Sequence, residues 1–160
     1  MATGEEAARL SALHGYGVLD SPNEIEFDLL VREAARGLNA PIALISLVDE
    51  HRQWFKARVG IAAQEMPRSI SFCTHAIRGN DVMVVEDASR DERFATNPLV
   101  TDDPGVRFYA GAPLTTRDGK RIGTLCVIDT RSRRQPTASE KAHLLDLARR
   151  TVEAFEKRRP

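Results

Sequence analysis

The sequence predicts an α+β domain built on an antiparallel sheet, and three observations carry that prediction. From Arg107 to Asp129, RFYAGAPLTTRDGKRIGTLCVID reads as two strands folded back on an Asp118-Gly119 turn, because Gly supplies a positive φ at no steric cost and Asp tolerates it. Pro41 to Val48 is an almost unbroken apolar run, which suits a strand covered on both faces. Two stretches with helix-start chemistry, Ser21-Pro22-Asn23-Glu24 and Pro136-Thr137-Ala138-Ser139-Glu140, each precede an amphipathic run.

At the N-terminus, Thr3 and Glu6 have capping-box spacing and Ala7, Leu10 and Leu13 recur at helical intervals, so residues 4–14 form a short helix. Ser21 is expected as an N-cap, with Pro22 at the first helical position and Glu24 at the third. Phe27, Leu30, Val31, Ala34 and Leu38 then fall on one stripe. After the apolar strand and a turn at Asp49-Glu50-His51-Arg52, a second strand alternates Gln53, Phe55, Ala57 and Val59 against Trp54, Lys56 and Arg58. Ile61 to Arg68 reads as loop, Ser71 to Arg78 as a short helix and Val82 to Glu86 as a brief strand. Asp87 to Gly105 is irregular, and a connection this long inside a compact domain suggests a binding element or lid.

In the hairpin, Val106, Phe108, Ala110, Ala112 and Leu114 alternate with Arg107, Tyr109, Gly111 and Pro113. Leu125 is expected opposite Ala112, Val127 opposite Ala110, and Cys126 on the face of Gly111 and Tyr109. Pro113 cannot donate a ladder hydrogen bond, which favours a four-residue loop closing at Thr116 and Arg121. The last helix opens on Thr137 as N-cap with Glu140 at box spacing. Along it, Leu145, Ala148, Val152 and Phe155 have the spacing of a coiled-coil seam, widened by Leu144, Leu147 and Ala154. One face can cover the sheet and another can meet a second chain.

With 160 residues, 42% of them hydrophobic, the chain is the size of one domain. The expected division is an N-terminal helical arm over 1–20 and a single domain over 21–160. Lys plus Arg and Asp plus Glu are both 23, so there is no overall basic field for nucleic acid or an acidic membrane. The clusters Arg131, Arg133, Arg134 and Lys157, Arg158, Arg159 read as solvated surface. Two widely separated cysteines and no basic, apolar start make a reducing cytoplasm the expected location. No run approaches the roughly 20 apolar residues that span a bilayer.

The segments PIALISLVDEHRQWFKARVG, RSISFCTHAI, DASRDERFATNPLV and RFYAGAPLTTRDGKRIGTLCVID, covering roughly Glu24 to Phe155, together resemble the GAF domain of signalling proteins. The resemblance implies a central antiparallel sheet of five or six strands, ordered 2-1-5-4-3 for the five legible ones. It places the terminal helices on one face, and small helices with the long loop over a pocket on the other. The Ala110, Ala112, Leu125 and Val127 face is then expected to support the helices, and the Tyr109, Gly111 and Cys126 face to floor the pocket. It implies a non-catalytic sensor of a small molecule of unknown identity, acting as a homodimer through its terminal helices, with a histidine kinase or cyclase module as output. A ligand-free structural dimerisation module and a thiol-based redox device on Cys73 and Cys126 are the alternatives.

The pocket residues expected from this reading are Phe55 (or Trp54), Phe72, Cys73, His75, Phe94, Phe108, Tyr109 and Cys126, each aromatic also having packing as its ordinary role. Arg93 and Arg107 are possible anion partners, with ion pairing the commoner fate. The resemblance to bilin-binding GAF domains is partial, because Thr74 separates Cys73 from His75. Cys73, His75 and Cys126 lack the paired spacing of a zinc site. The chain has neither the cysteine loop of the methionine sulfoxide reductase subgroup nor the intact cyclic-nucleotide signature. Asp91, Arg93, Phe94 and Asn97 spell a different pattern, in which Asp91 and Asn97 have turn and capping roles. No catalytic residue, metal or identified cofactor is expected.

Overall fold

A computed structural model describes residues 3–159. In order, its elements are α1 (Gly4–Gly15), α2 (Ile25–Gly37), β1 (Ile42–Val48), β2 (Arg52–Val59), β3 (Glu65–Pro67), α3 (Cys73–Ala76), β4 (Met83–Val85), α4 (Pro98–Thr101), β5 (Phe108–Thr115), β6 (Arg121–Asp129) and α5 (Ala138–Arg158). The strands form one antiparallel sheet in the order β3-β2-β1-β6-β5-β4. The expected five-strand order lies inside it. The sixth strand, β3, occupies part of the segment read as loop: Met66 pairs with Gln53 and Glu65 with Trp54. Three residues are too few to show a period, so only the partner strand reveals it.

The hairpin register is as the alternation requires, with Ala112 opposite Leu125, Ala110 opposite Val127 and Gly111 opposite Cys126. Its loop is tighter than expected. Thr116 N–H donates to the Lys120 carbonyl at 2.8 Å, and Gly119, at φ 83°, donates to the Thr116 carbonyl at 2.9 Å. Thr116 and Lys120 therefore close the turn, not Thr116 and Arg121. A left-handed Gly makes the shorter loop accessible. The difference is absorbed on β6, where Ile122 is an extra residue between Arg121, opposite Thr115, and Gly123, opposite Leu114.

A second bulge corrects the facing of β2. Ile45 pairs with Ala57 and Ser46 with Phe55, so Lys56 is supernumerary. Trp54 and Ala57 consequently share the helix-side core, while Phe55 packs on the other face. Simple alternation had put Phe55 and Ala57 together.

Lys56 also explains why Ser21-Pro22-Asn23-Glu24 does not start α2 as expected. The Lys56 side chain is fully buried, and its ammonium donates to Ser21 Oγ (2.7 Å), to the Pro22 carbonyl (2.6 Å) and to the Glu24 carboxylate. The segment wraps the ammonium, and α2 begins at Ile25 with extended Glu24 before it. A buried ammonium needs this set of acceptors more than the helix needs a side-chain cap. By contrast, the Thr137–Glu140 capping box of α5 forms in both directions, at 3.1 and 2.9 Å.

The helix-side core joins Leu13 of α1, Phe27, Leu30 and Ala34 of α2, and Leu144, Leu147 and Phe155 of α5. They pack over Ala43, Ile45, Ala110, Ala112, Leu125 and Val127 of the sheet. Tyr16 and Val18, which follow α1, are in the same core. Of the seam residues on α5, Ala148, Val152 and Phe155 are buried here, and Leu145 alone is exposed. Three of the four seam positions therefore pack within the protomer.

Candidate functional site

The opposite face of the sheet carries a second core. Its floor is Leu44 and Val48 of β1, Phe55 of β2, Tyr109 of β5 and Cys126 of β6, and its roof is Phe72, Cys73, Ala76, Phe94 and Val100. The roof is built locally by α3, which follows a 3-10 turn at Arg68–Ile70 and turns Phe72, Cys73 and Ala76 inward. Phe72 stacks on Phe94 with ring centroids 4.0 Å apart and leans on Tyr109 at 5.4 Å. His75 meets the edge of Phe94 at 4.9 Å.

Within this apolar shell lies a buried polar network. Gln53 Oε1 accepts from Ser46 Oγ at 3.1 Å and from Ser71 Oγ at 2.8 Å. The Cys73 sulfur is 3.0 Å from Thr124 Oγ1 and accepts the Tyr109 hydroxyl at 3.3 Å. Cys126 lies in the same core and lines the same interior space as Cys73. Among the described residues, every buried side-chain nitrogen and oxygen has a partner, as such a network requires when water is excluded.

The electrostatics follow from this arrangement. The neighbouring Cys126 thiol, opposed by burial but helped by Thr124 and Tyr109, holds the Cys73 thiol below its usual range. The neighbouring Cys73 sulfur, together with burial, pushes the Cys126 thiol up. Burial, then the two neighbouring thiols, raises the Tyr109 phenol well above its usual range. His75 is lowered by burial and then by Arg78 and Arg93.

A cavity of about 30 Å³ remains, lined by Phe72, Cys73, Tyr109 and Cys126 within and by Ile61, Met66, Leu99 and Pro104 toward the outside. That is room for a water or a molecule of a few atoms, whereas pockets for ordinary metabolites run to roughly 300–1,000 Å³. The larger concavities are open surface grooves, such as one of about 630 Å³ flanked by Arg9, Arg68, Arg78 and Arg121.

Of the residues expected in a pocket, Phe55, Phe72, Cys73, Phe94, Tyr109 and Cys126 meet in this core and His75 stands half-buried at its rim. Phe108 does not. It belongs to the helix-side core, as its alternation with Tyr109 demands, and Arg133 lies over its ring at 5.4 Å. Trp54 is likewise on the helix side. Arg93 pairs with Asp91 at 2.8 Å, and Arg107 donates to the carbonyls of Val100 and Val106. Asn97 caps α4 by accepting from Leu99 N–H at 2.8 Å, and Asp91 accepts from Arg93 N–H at 2.9 Å. The residues missed in the sequence are Ser46, Gln53, Ser71 and Thr124. For Ser46 and Thr124 the available signal was a polar side chain within a largely apolar strand run, IALISLV and IGTLCVI.

Comparison with known proteins gives the same architecture. The family model described as GAF domain matches residues 23–155. The cyclic di-GMP phosphodiesterase PA2567 of Pseudomonas aeruginosa is 41% identical over 150 residues, which is 94% of this chain. The chain spans about a quarter (25%) of that relative's length. The GAF domain of a phosphoenolpyruvate-protein phosphotransferase from Coxiella burnetii superposes with a TM-score of 0.69 at 16% identity, covering 97% of this chain and 96% of that one. The type II free methionine-R-sulfoxide reductase from Thermoplasma acidophilum superposes with a TM-score of 0.66 at 12% identity, covering 82% and 91%. At these identities the two structures are likenesses of fold. No described helix is long and apolar enough to cross a membrane.

Proposed function

The chain belongs to the GAF domain family, and on that premise we propose that it is a non-catalytic regulatory domain of bacterial signal transduction. It acts in the cytoplasm as a homodimer through its terminal helices. The observation that carries this reading is the division of one sheet between two cores. Leu125 and Cys126 are neighbours in β6, yet Leu125 seats the helices and Cys126 floors the interior site. A shift of the strand on one side therefore moves the seat of α5 on the other, which gives an input two arrangements to choose between. Ile25 and Leu29 of α2, 74% and 55% exposed, and Leu145 of α5 offer apolar surface to a second copy.

The similarity to a cyclic di-GMP phosphodiesterase supports an output in turnover of that dinucleotide, with a kinase or cyclase module as the alternative effector. The cavity of about 30 Å³ favours a second reading for the input, a regulatory dimerisation domain that holds no metabolite. Native mass spectrometry of freshly purified protein, with sedimentation equilibrium, tests both. A dimer carrying a retained small molecule supports the sensor of a metabolite, and a bare dimer supports the second reading. A monomer at all concentrations overturns the dimer.

A further inference from the structure

We propose that Cys73 and Cys126 are a peroxide-responsive dithiol, which closes to an intramolecular disulfide between α3 and β6 when hydrogen peroxide enters the interior cavity. The inference goes beyond the regulatory reading, because the thiol chemistry belongs to the chain itself whatever output follows.

Three observations support it. Both cysteines are free and buried, and both line the same cavity of about 30 Å³. The Tyr109 hydroxyl donates to Cys73 Sγ at 3.3 Å, and the Thr124 hydroxyl at 3.0 Å is able to turn its proton to the same sulfur once it is a thiolate. The cavity admits a molecule of a few atoms and excludes a bulky disulfide, which selects a small oxidant.

Cys73 is the attacking thiol because it receives these hydrogen bonds, and Cys126 is the resolving one. The Cys73 thiolate attacks one peroxide oxygen. The O–O bond breaks, the sulfur becomes a sulfenic acid, and the departing hydroxide takes the thiol proton to leave as water. The Cys126 sulfur then attacks Cys73, the S–O bond breaks, and a second water leaves with the Cys126 proton. Two thiols are oxidised by two electrons, and one peroxide is reduced to two waters.

The test treats the reduced, folded chain with hydrogen peroxide, removes the peroxide with catalase, and follows intact mass and thiol labelling in denaturant without reductant. The expected product is a monomer lacking two hydrogens and both labels, reversed by dithiothreitol, with no reaction toward oxidised glutathione. Cys126→Ser is expected to gain one oxygen in intact mass, as a sulfenic acid that dimedone traps when the peroxide is removed and the chain unfolded, and Cys73→Ser to give none. Tyr109→Phe, which keeps the packing, is expected to slow oxidation roughly tenfold through the lost hydrogen bond to a charged sulfur. Circular dichroism establishes that each variant is folded. Retention of both thiols by the folded chain, addition of oxygen without a disulfide, disulfide-linked dimers, or reaction only in urea would each overturn the proposal.

Discussion

The Tyr109 phenol lies back along β5 over Gly111, so close that a Cβ on Gly111 would stand 2.3 Å from the phenol oxygen. The missing side chain is what lets the hydroxyl reach Cys73 at 3.3 Å. Tyr109 is 1% exposed and leans against Phe72, so it has no room to retreat. Gly111→Ala is therefore expected to cost about 1–3 kcal/mol by overpacking. Urea denaturation measures it, and a loss under about 0.5 kcal/mol would show that the ring re-seats freely.

Phe72 fills the space that would make the interior site large enough for a ligand. Phe72→Ala removes its stack on Phe94 and enlarges a cavity that is now about 30 Å³. The expected loss is about 3–5 kcal/mol, together with a thermal stabilisation by benzene that the parent chain lacks. Equal benzene responses in the two proteins would show that the roof has collapsed into the gap.

Glu24 stands between two cations, accepting from buried Lys56 and, at 3.2 Å, from Arg158 of α5. The two ends of the Lys56 pair should respond unequally to neutralisation. Glu24→Gln leaves the enclosed ammonium without a counter-charge and is expected to cost about 3 kcal/mol. Lys56→Met leaves a part-exposed carboxylate still paired with Arg158, and should cost less. Chemical denaturation of the two variants compares them, and the reverse order would contradict the assignment of Glu24 as the partner of a buried charge.

Glu6 fastens α1 to the body of the domain. Its hydrogen bonds from Arg9 lower its pKa, against some burial and with help from Arg68, from 4.5 to about 2. Arg9 in turn donates to the Val48 carbonyl at 2.7 Å. Because the folded value is the lower one, this stabilisation is present above pH 4.5 and is lost as the pH falls toward 2. Glu6→Gln should be less stable than the parent at neutral pH, and the difference should shrink across that acid window. Thermal melts of both proteins over the window measure it. A difference that stays constant with pH would exclude the linkage.

Much of the fold was legible because local chemistry and long-range packing agreed. The Asp118-Gly119 turn and the alternation around it set which hairpin side chains face the helices, and the Thr137–Glu140 box marked the start of α5. What stayed hidden depended on partners distant in sequence. Ser21-Pro22 has helix-start chemistry, but Lys56, on β2, claims both residues. Glu65–Pro67 is a strand only because β2 lies beside it. In the site, apolar and aromatic members could be picked out by type. Ser46, Gln53 and Thr124 could not, since their role is to satisfy one another and the thiols across different strands.

The extra residue at Lys56 has one more consequence. It shifts the β2 pleat by half a period, so the strand is read in one phase up to Phe55 and in the opposite phase from Ala57 onward. Removing that single position would restore an unbroken alternation. Trp54, Ala57 and Val59 would stay toward the helix layer and Phe55 toward the thiol layer, because Ala57 would then follow Phe55 directly. What such a deletion would take away is the buried ammonium, and with it the anchor that gathers Ser21, Pro22 and Glu24 against β2.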